Sequence, residues 1–378
     1  MTKSIQYISL VLYIIINVLF VDKYAARVTD WHMVASIVYC VCTSAILIFL
    51  PKVIQRLSRP LYWLVAISCC YLGFGLVIQY AINPLELLVD RWSAIHNFLE
   101  GMLAGIYPYG QQTHLGGYGS PLPVWQVLHL PFYAMGNVGL SIFVVIGLFI
   151  YTIYRTRGAH TAIAATIMLT LSPACWYEMA VRSDLITNIL LIACITEWLS
   201  YKRIALAHYT LPIAILSGLV LSTRLIAIIP LAAMYGYEFL HMGWKKQATF
   251  VCCTILTFAI TLLPFVLWDG STLLFFEYNP FVLQTRQGSV GALILFATIA
   301  ILITIYMRGD QQTRLPITGG LLTCLVSIAF IEKMWKEDLW NQLFDSTFDI
   351  TYLAVALPFY ILCVAHCSTS PINDESNS

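Results

Sequence analysis

Residues 83–121 read NPLELLVDRWSAIHNFLEGMLAGIYPYGQQTHLGGYGSP, a polar and amphipathic interruption in an otherwise apolar chain. Asn83 can cap a helix, Pro84 suits the first helical position, and Glu86 follows three residues after the cap. Beyond them, apolar and polar side chains recur on opposite faces at helical spacing. The stretch therefore predicts an amphipathic helix at a membrane surface, beginning at Asn83 and carrying Asp90 one turn in, on its polar face.

The flanking sequence is strongly apolar. Of the 378 residues, 60% are hydrophobic and only 10% are charged, too few charges to cover the surface of a soluble domain. Runs of about 17–23 apolar residues are each long enough for a helix that crosses a bilayer. We therefore expect an all-α polytopic membrane protein of about 12 transmembrane helices, in which the fourth run is too long for one span and divides near Gly136. The runs lie at roughly 5–21, 32–50, 61–82, 122–154, 160–176, 184–200, 206–222, 225–240, 248–267, 289–307, 315–331 and 351–367.

The distribution of lysine and arginine predicts the orientation, because short cytoplasmic loops retain positive charge. With the amino terminus inside, basic residues fall in successive cytoplasmic loops, from 52–59 through 155–157 to 308–314. Residues 1–367 then form one domain in the cell membrane, and 368–378 form a disordered cytoplasmic tail, so both termini are cytoplasmic. The long external loops are 83–121, 268–288 and 332–350, which predicts chemistry on the extracytoplasmic side.

Charge and cysteine content exclude two other classes of function. A net charge of +1 leaves no basic stripe for a nucleic acid backbone. The 11 cysteines show no zinc spacing. His96 and His114 share a loop with Asp90 but are too widely spaced to indicate a metal, so no metal or cofactor is expected.

Short motifs in the external segments resemble a known superfamily. Asp90 follows an apolar run, Gly105, Pro108 and Tyr109 end the amphipathic stretch, and Ser-Pro-Leu-Pro at 120–123 opens the next helix. Later segments at 178–184, 222–224 and 279–281 fit the same order. The chain resembles the membrane glycosyltransferases of the GT-C superfamily, and most closely glycosyltransferase family 87, which uses polyprenyl-phosphate-mannose. It departs from them in having two additional spans before residue 60.

The resemblance implies an aspartate base in the first external loop, which corresponds to Asp90, and a polyprenyl-phosphate sugar donor. The chemistry of the residues agrees, because a phosphate leaving group requires no general acid and one carboxylate can take the acceptor proton. The expected reaction is inverting transfer of a hexose, with mannose favoured, to a glycan or glycolipid acceptor outside the cytoplasm. The alternative is that Asp90 only helps the helix begin, paired with Arg91.

Other side chains are candidates for substrate contacts. Arginine forks suit phosphate oxygens, although arginines near span ends also reach lipid head groups. Glu178 and Asp184 could contact acceptor hydroxyls or form a local salt-bridge cluster around Arg182, and Asn279 could bind a sugar or simply make a turn. The predicted phosphate-binding residues are Arg224, Arg182 and Arg286, and the predicted substrate-binding residues are Tyr109, Glu178, Asp184, Asn279 and His114.

Two rival functions fit a chain of this kind. A polysaccharide polymerase or O-antigen ligase also has many spans, but usually depends on a late external loop, whereas here the richest loop is early. A secondary transporter predicts inverted repeats and broken helices with charges at the bilayer midplane. The apolar runs here carry few charges away from their ends, which disfavours transport.

Overall fold

The computed structural model describes residues 3–286, 288–306, 311–336 and 349–369, and these residues form helices joined by short turns. Several predicted spans are uninterrupted single helices, and others are short or bent. The α-helices are α1 Lys3–Ala25, α2 His32–Gln55, α3 Pro60–Ala81, α4 Arg91–Leu103, α5 Pro123–Leu128, α6 Leu130–Ala134, α7 Ser141–Arg157, α8 Ala159–Leu171, α9 Pro173–Ala180, α10 Leu185–Tyr201, α11 Thr210–Leu221, α12 Ile228–His241, α13 Trp244–Phe275, α14 Pro280–Thr285, α15 Val290–Tyr306, α16 Gln311–Lys336 and α17 Leu357–Thr369. Short 3₁₀ helices lie at Pro84–Glu86, Pro108–Gly110, Val138–Leu140, Leu225–Ala227 and Ile350–Ala356.

The expectation of an all-helical membrane protein is confirmed at this level. Within the described ranges, 6 helices are long and apolar enough to cross a membrane, or up to 7 if α9 and α10, which meet at 116°, form one broken span. Five shorter apolar helices of 10–17 residues cover other predicted runs. The long fourth run divides as expected, because Gly136 takes a φ of +80° between α6 and the segment that leads into α7.

The start of the amphipathic helix was wrong in the sequence interpretation. Asn83 does cap a helix, since its side chain accepts from the Leu85 N–H and donates to Glu86 Oε1 at 3.0 Å. That helix is only the 3₁₀ turn Pro84–Glu86, and α4 begins afresh at Arg91. Asp90 therefore occupies the N-cap position of α4 rather than a place one turn inside it.

The other two segments predicted to be external also differ from simple loops. Helix α13 continues past residue 268 to Phe275, with a break at Asp269, whose φ of −153° and ψ of 84° are not helical. Asp269 starts the second part by accepting from the Thr272 N–H. Between 332 and 350, residues 337–348 lie outside the described part of the chain, as does the predicted tail beyond Thr369.

Two apolar clusters fix the positions of the functional elements. The larger unites α1, α7, α8, α10, α16 and α17 around side chains such as Tyr13, Phe149 and Phe359. The smaller holds α4 against α13, through Phe98 and Leu99 on one side and Phe265 on the other. Helix α4 thus lies over the bundle with its apolar face covered.

A buried ion pair joins two helices on another side of the bundle. Arg157 at the end of α7 donates from Nε and Nη2 to the two carboxylate oxygens of Glu197 on α10, both at 2.6 Å. It also donates to the carbonyl of Leu362 on α17 at 3.3 Å. Because the side chains are only 9% and 3% exposed, removing either charge leaves the other one buried and uncompensated.

Glu197→Gln should therefore lower the free energy of unfolding by about 3–5 kcal/mol, since it preserves the shape of the side chain but leaves the Arg157 guanidinium buried without an anionic partner. Thermal unfolding in detergent measures this loss. The matched double variant Arg157→Met/Glu197→Met should regain much of the stability. An unchanged melting temperature for Glu197→Gln would contradict the assignment.

Candidate active site

A cavity of about 640 Å³ opens where α4, the turn before α10, the start of the Leu225 3₁₀ helix and the Asp349 segment meet. Its volume lies within the range of about 300–1,000 Å³ that is usual for small-molecule sites. Its lining is rich in charged side chains, which come from segments far apart in sequence. The charged residues of the lining are Asp90, Asp184, Asp349, Arg91, Arg224 and Arg286.

The carboxylate of Asp90 is held by the glycine-rich loop rather than by its own helix. The Asp90 carbonyl accepts from the Ala94 N–H, but the side chain makes no capping bond. Instead, Oδ2 accepts from Thr113 Oγ1 at 2.8 Å, and the same hydroxyl accepts from the Gly117 N–H at 2.9 Å. No described residue donates to Oδ1, so one carboxylate oxygen is oriented and the other is available.

Gly117 is required beside this carboxylate for reasons of space. A Cβ at this position would lie 2.7 Å from Asp90 Oδ2 and 3.3 Å from Thr113 Oγ1. The first distance is well inside van der Waals contact, so any side chain at Gly117 would displace the carboxylate. Gly117 therefore has a role in shaping the site.

Arg91 does not pair with Asp90, contrary to the alternative interpretation of the sequence. Its guanidinium donates to Glu178 at 3.3 Å, to Ser183 at 2.9 Å, to Asp349 at 2.5 Å and to Thr351 Oγ1 at 2.6 Å. Burial alone would lower the pKa of Arg91, but the carboxylates of Asp349 and Glu178 raise it above its ordinary value. Arg91 thus remains a cation that ties the start of α4 to two other segments.

A second buried ion pair also lines the cavity. Asp184 Oδ2 accepts from Arg224 Nη2 at 2.6 Å and from Trp125 Nε1 at 2.7 Å. Burial raises the pKa of Asp184, but the Arg224 guanidinium outweighs this effect and the net pKa is lowered. Asp184 Oδ1 and Arg224 Nε are buried without a hydrogen-bond partner among the described residues. A buried polar atom without a hydrogen bond costs about 1–3 kcal/mol, which a polar ligand in the cavity would offset.

Arg182 forms no cluster with Glu178 and Asp184, because those carboxylates face Arg91 and Arg224. Arg182 adopts a left-handed φ of +55° and donates to the Gln79 carbonyl at 3.2 Å. Its side chain does not line the cavity. Glu178 is fully buried and serves as a partner of Arg91, so it is not placed to contact a ligand directly.

Three further predicted contacts are occupied by structural bonds away from the cavity. Tyr109 is buried against Phe98 and Phe265, and its hydroxyl donates to the Pro121 carbonyl at 3.3 Å. Asn279 caps α14 by accepting from two backbone N–H groups. His114 uses both ring nitrogens, one with Ser93 Oγ at 2.7 Å and one with the Leu87 carbonyl at 3.0 Å.

Of the predicted site residues, the structure therefore brings together Asp90, Asp184, Arg224 and Arg286. The Arg286 side chain is exposed at the cavity, and no described residue pairs with its guanidinium. Sequence reasoning gave no role in the site to Arg91, which directly follows Asp90, or to Tyr278, which directly precedes Asn279. Among the described residues, no group of three or more histidine, cysteine, aspartate or glutamate side chains is arranged to hold a metal ion.

An apolar groove of about 330 Å³ adjoins the polar cavity. The two share Ser120, Arg224 and Tyr352 in their linings. Beyond Arg224 the groove runs between α12, α15 and α16 along side chains such as Ile229, Phe296 and Leu325. The polar cavity and the apolar groove thus meet at Arg224.

The class defined by fold and site is an all-helical protein with membrane-spanning helices and a charged cavity next to an apolar groove. Scans against protein-family models, curated proteins and solved structures find no match to this chain. The assignment of a function therefore rests on the chemistry of the site.

Arg91→Ala should lower the free energy of unfolding by about 3–5 kcal/mol, because it leaves the carboxylate of Glu178 buried without a cation. The matched control is Arg286→Ala, which removes an exposed arginine of the same cavity and should change stability by no more than about 0.5 kcal/mol. Thermal melts of both variants in detergent measure the difference. Equal melting temperatures would show that Arg91 does not hold the site together.

Proposed function

We propose that the protein is an inverting membrane glycosyltransferase. It moves a hexose, with mannose the expected sugar, from a polyprenyl-phosphate donor to a glycan or glycolipid acceptor on the extracytoplasmic face. The observation that carries the proposal is the junction at Arg224, where a polar cavity containing a carboxylate adjoins an apolar groove. A substrate with a charged head and a long apolar tail has the chemistry that both compartments require.

The donor fits across this junction. Its isoprenoid chain occupies the groove, where apolar side chains replace the lipid environment. Its phosphate lies near Arg224 and Arg286, whose guanidinium groups can pair with phosphate oxygens. The unpartnered Nε of Arg224 supports this role, because a buried donor next to the cavity gains a hydrogen bond when an anion binds.

Asp90 is the general base in the proposed reaction. Its Oδ1 takes the proton of an acceptor hydroxyl as that oxygen forms a bond to the anomeric carbon. The bond between the anomeric carbon and the phosphate oxygen breaks at the same time, and the polyprenyl phosphate leaves with both electrons. Attack from the face opposite the phosphate inverts the anomeric centre. The bond from Thr113 holds Oδ2, and no described residue donates to Oδ1 of this cavity-lining side chain.

The proposal includes a specific topology. Seven long spans, with α9 and α10 counted as one broken span, and five shorter apolar helices account for twelve crossings if each short helix spans a locally thinned or tilted region. Both termini are then cytoplasmic in the cell membrane, and Asp90 lies at the outer surface. This arrangement gives the site access to an acceptor outside the cytoplasm.

Asp90→Asn should reduce sugar transfer by at least about 100-fold, since the amide cannot accept the acceptor proton. The assay uses purified protein with radiolabelled polyprenyl-phosphate-mannose and a membrane extract that supplies acceptors. Glu100→Gln, an exposed carboxylate on the same helix, is the matched control and should retain activity. Full activity in the Asp90 variant would remove the proposed base, and counterflow of a soluble solute would favour transport instead.

Arg286→Ala should raise the donor KM by about 10- to 100-fold, because a charge-assisted bond to phosphate contributes about 1.5–3 kcal/mol. The exposed Arg155, near the end of α7 and outside the cavity, provides the control variant Arg155→Ala. Initial rates at varied donor concentration give both values. A donor KM that does not change in the Arg286 variant would exclude this arginine from phosphate binding.

A further inference from the structure

One wall of the polar cavity is aromatic and comes from two external segments. Tyr118, in the glycine-rich loop, and Tyr278, just before α14, stack with ring planes 9° apart and centroids 5.5 Å apart. Phe276 meets both rings edge-on, at 5.0 Å and 5.6 Å. These contacts fix the two tyrosines as a rigid pair, which we call the tyrosine pair.

Polar groups surround this pair. Gln112 and Tyr118 form an isolated antiparallel bridge, and Gln112 Nε2 donates to the Tyr118 hydroxyl at 3.0 Å. Tyr278 is 41% exposed, so part of its ring remains uncovered. The wall thus offers an accessible aromatic ring together with phenol and amide groups that can donate and accept hydrogen bonds.

The tyrosine pair belongs to the part of the cavity that does not border the apolar groove. The residues shared with the groove are Ser120, Arg224 and Tyr352, whereas Tyr118 and Tyr278 line only the polar cavity. Asp90 lines the same cavity, next to the position that a side chain on Gly117 would occupy. The base and the tyrosine pair therefore share one cavity, while the donor's apolar tail requires the groove.

We propose that the tyrosine pair is the acceptor subsite and that the acceptor group bound there is a pyranose saccharide. This inference rests on the proposed function, since it assigns the second substrate of that reaction. A pyranose ring has a face of C–H groups, which packs on the electron-rich face of an aromatic ring, and a rim of hydroxyls. The rim meets Gln112 and the tyrosine hydroxyls, and one hydroxyl is presented to Asp90.

Other acceptor chemistries fit this wall less well. A purely lipidic alcohol would leave the Gln112 amide and two phenols facing apolar atoms, at the cost of their hydrogen bonds. A hydroxyl on an extended peptide has no ring face to cover Tyr278. The combination of aromatic and polar groups on one wall therefore favours a sugar.

The test is direct binding without any donor. Purified protein in lipid nanodiscs is titrated with methyl α-mannopyranoside, methyl β-glucopyranoside and methyl β-galactopyranoside, and saturation-transfer NMR reports binding. At least one glycoside should bind, Tyr278→Ala should weaken its binding about tenfold, and Tyr278→Phe, which keeps the ring but loses one hydrogen bond to the sugar, should weaken it less. Tyr62→Ala removes an exposed tyrosine of α3, far from the cavity lining, and should leave binding unchanged.

Thermal melts establish that the variants are folded. Absence of binding by all three glycosides, or equal binding by wild type and Tyr278→Ala, overturns the acceptor subsite even if hexose transfer is observed. Conversely, glycoside binding by wild type that is lost in Tyr278→Ala supports the subsite even if no transfer from polyprenyl-phosphate-mannose occurs. The absence of transfer would then count against the proposed donor alone. The two claims therefore fail separately.

Discussion

Charges enclosed among apolar helices must be neutralised, and this requirement organises the site. Arg91 binds the carboxylates of Glu178 and Asp349, and Arg224 binds Asp184. These pairs join the start of α4, the turn before α10, the 3₁₀ helix after α11 and the segment before α17. Without these ion pairs each buried charge would carry a desolvation penalty of several kcal/mol. The pairs therefore hold together the segments that form the cavity.

Asp90 is the exception among these groups. Its carboxylate is fixed by a hydroxyl and by the space left at Gly117, and no described cation pairs with it. Arg286, which also lines the cavity, has no described anionic partner, and the Nε donor of Arg224 is unused. The cavity thus contains a carboxylate without a described cationic partner together with arginines that have unused donors. The proposed transfer of a hexose from a phosphate to a hydroxyl uses both, the carboxylate as base and the arginines as phosphate ligands.

Features that depend on local sequence could be predicted, and features that depend on distant partners could not. The apolar runs predicted the helices, and Arg224, a predicted phosphate-binding residue, does line the cavity. Asn83 was a true cap, but pattern alone did not reveal that the 3₁₀ helix stops after Glu86 and that α4 begins at Arg91, five residues later. Arg91 contacts Glu178, which lies 87 positions later in the chain, and Asp349, which lies 258 positions later. Its role was therefore not visible from its sequence neighbours. Tyr109, Asn279 and His114 were plausible ligands by type, yet each satisfies its polar atoms within the protein.

The account depends on a donor that spans the junction at Arg224, with its head group beside Asp90. The most direct measurement is a cryo-EM structure in nanodiscs with a non-transferable C-mannosyl phosphonate carrying a polyprenyl chain. The account predicts phosphonate oxygens within hydrogen-bond distance, about 3 Å, of the Arg224 guanidinium, and an isoprenoid chain along Phe296. It also predicts the sugar facing Asp90. A ligand bound on another face of the bundle, or a chain that leaves the groove empty while the head group binds, would contradict it.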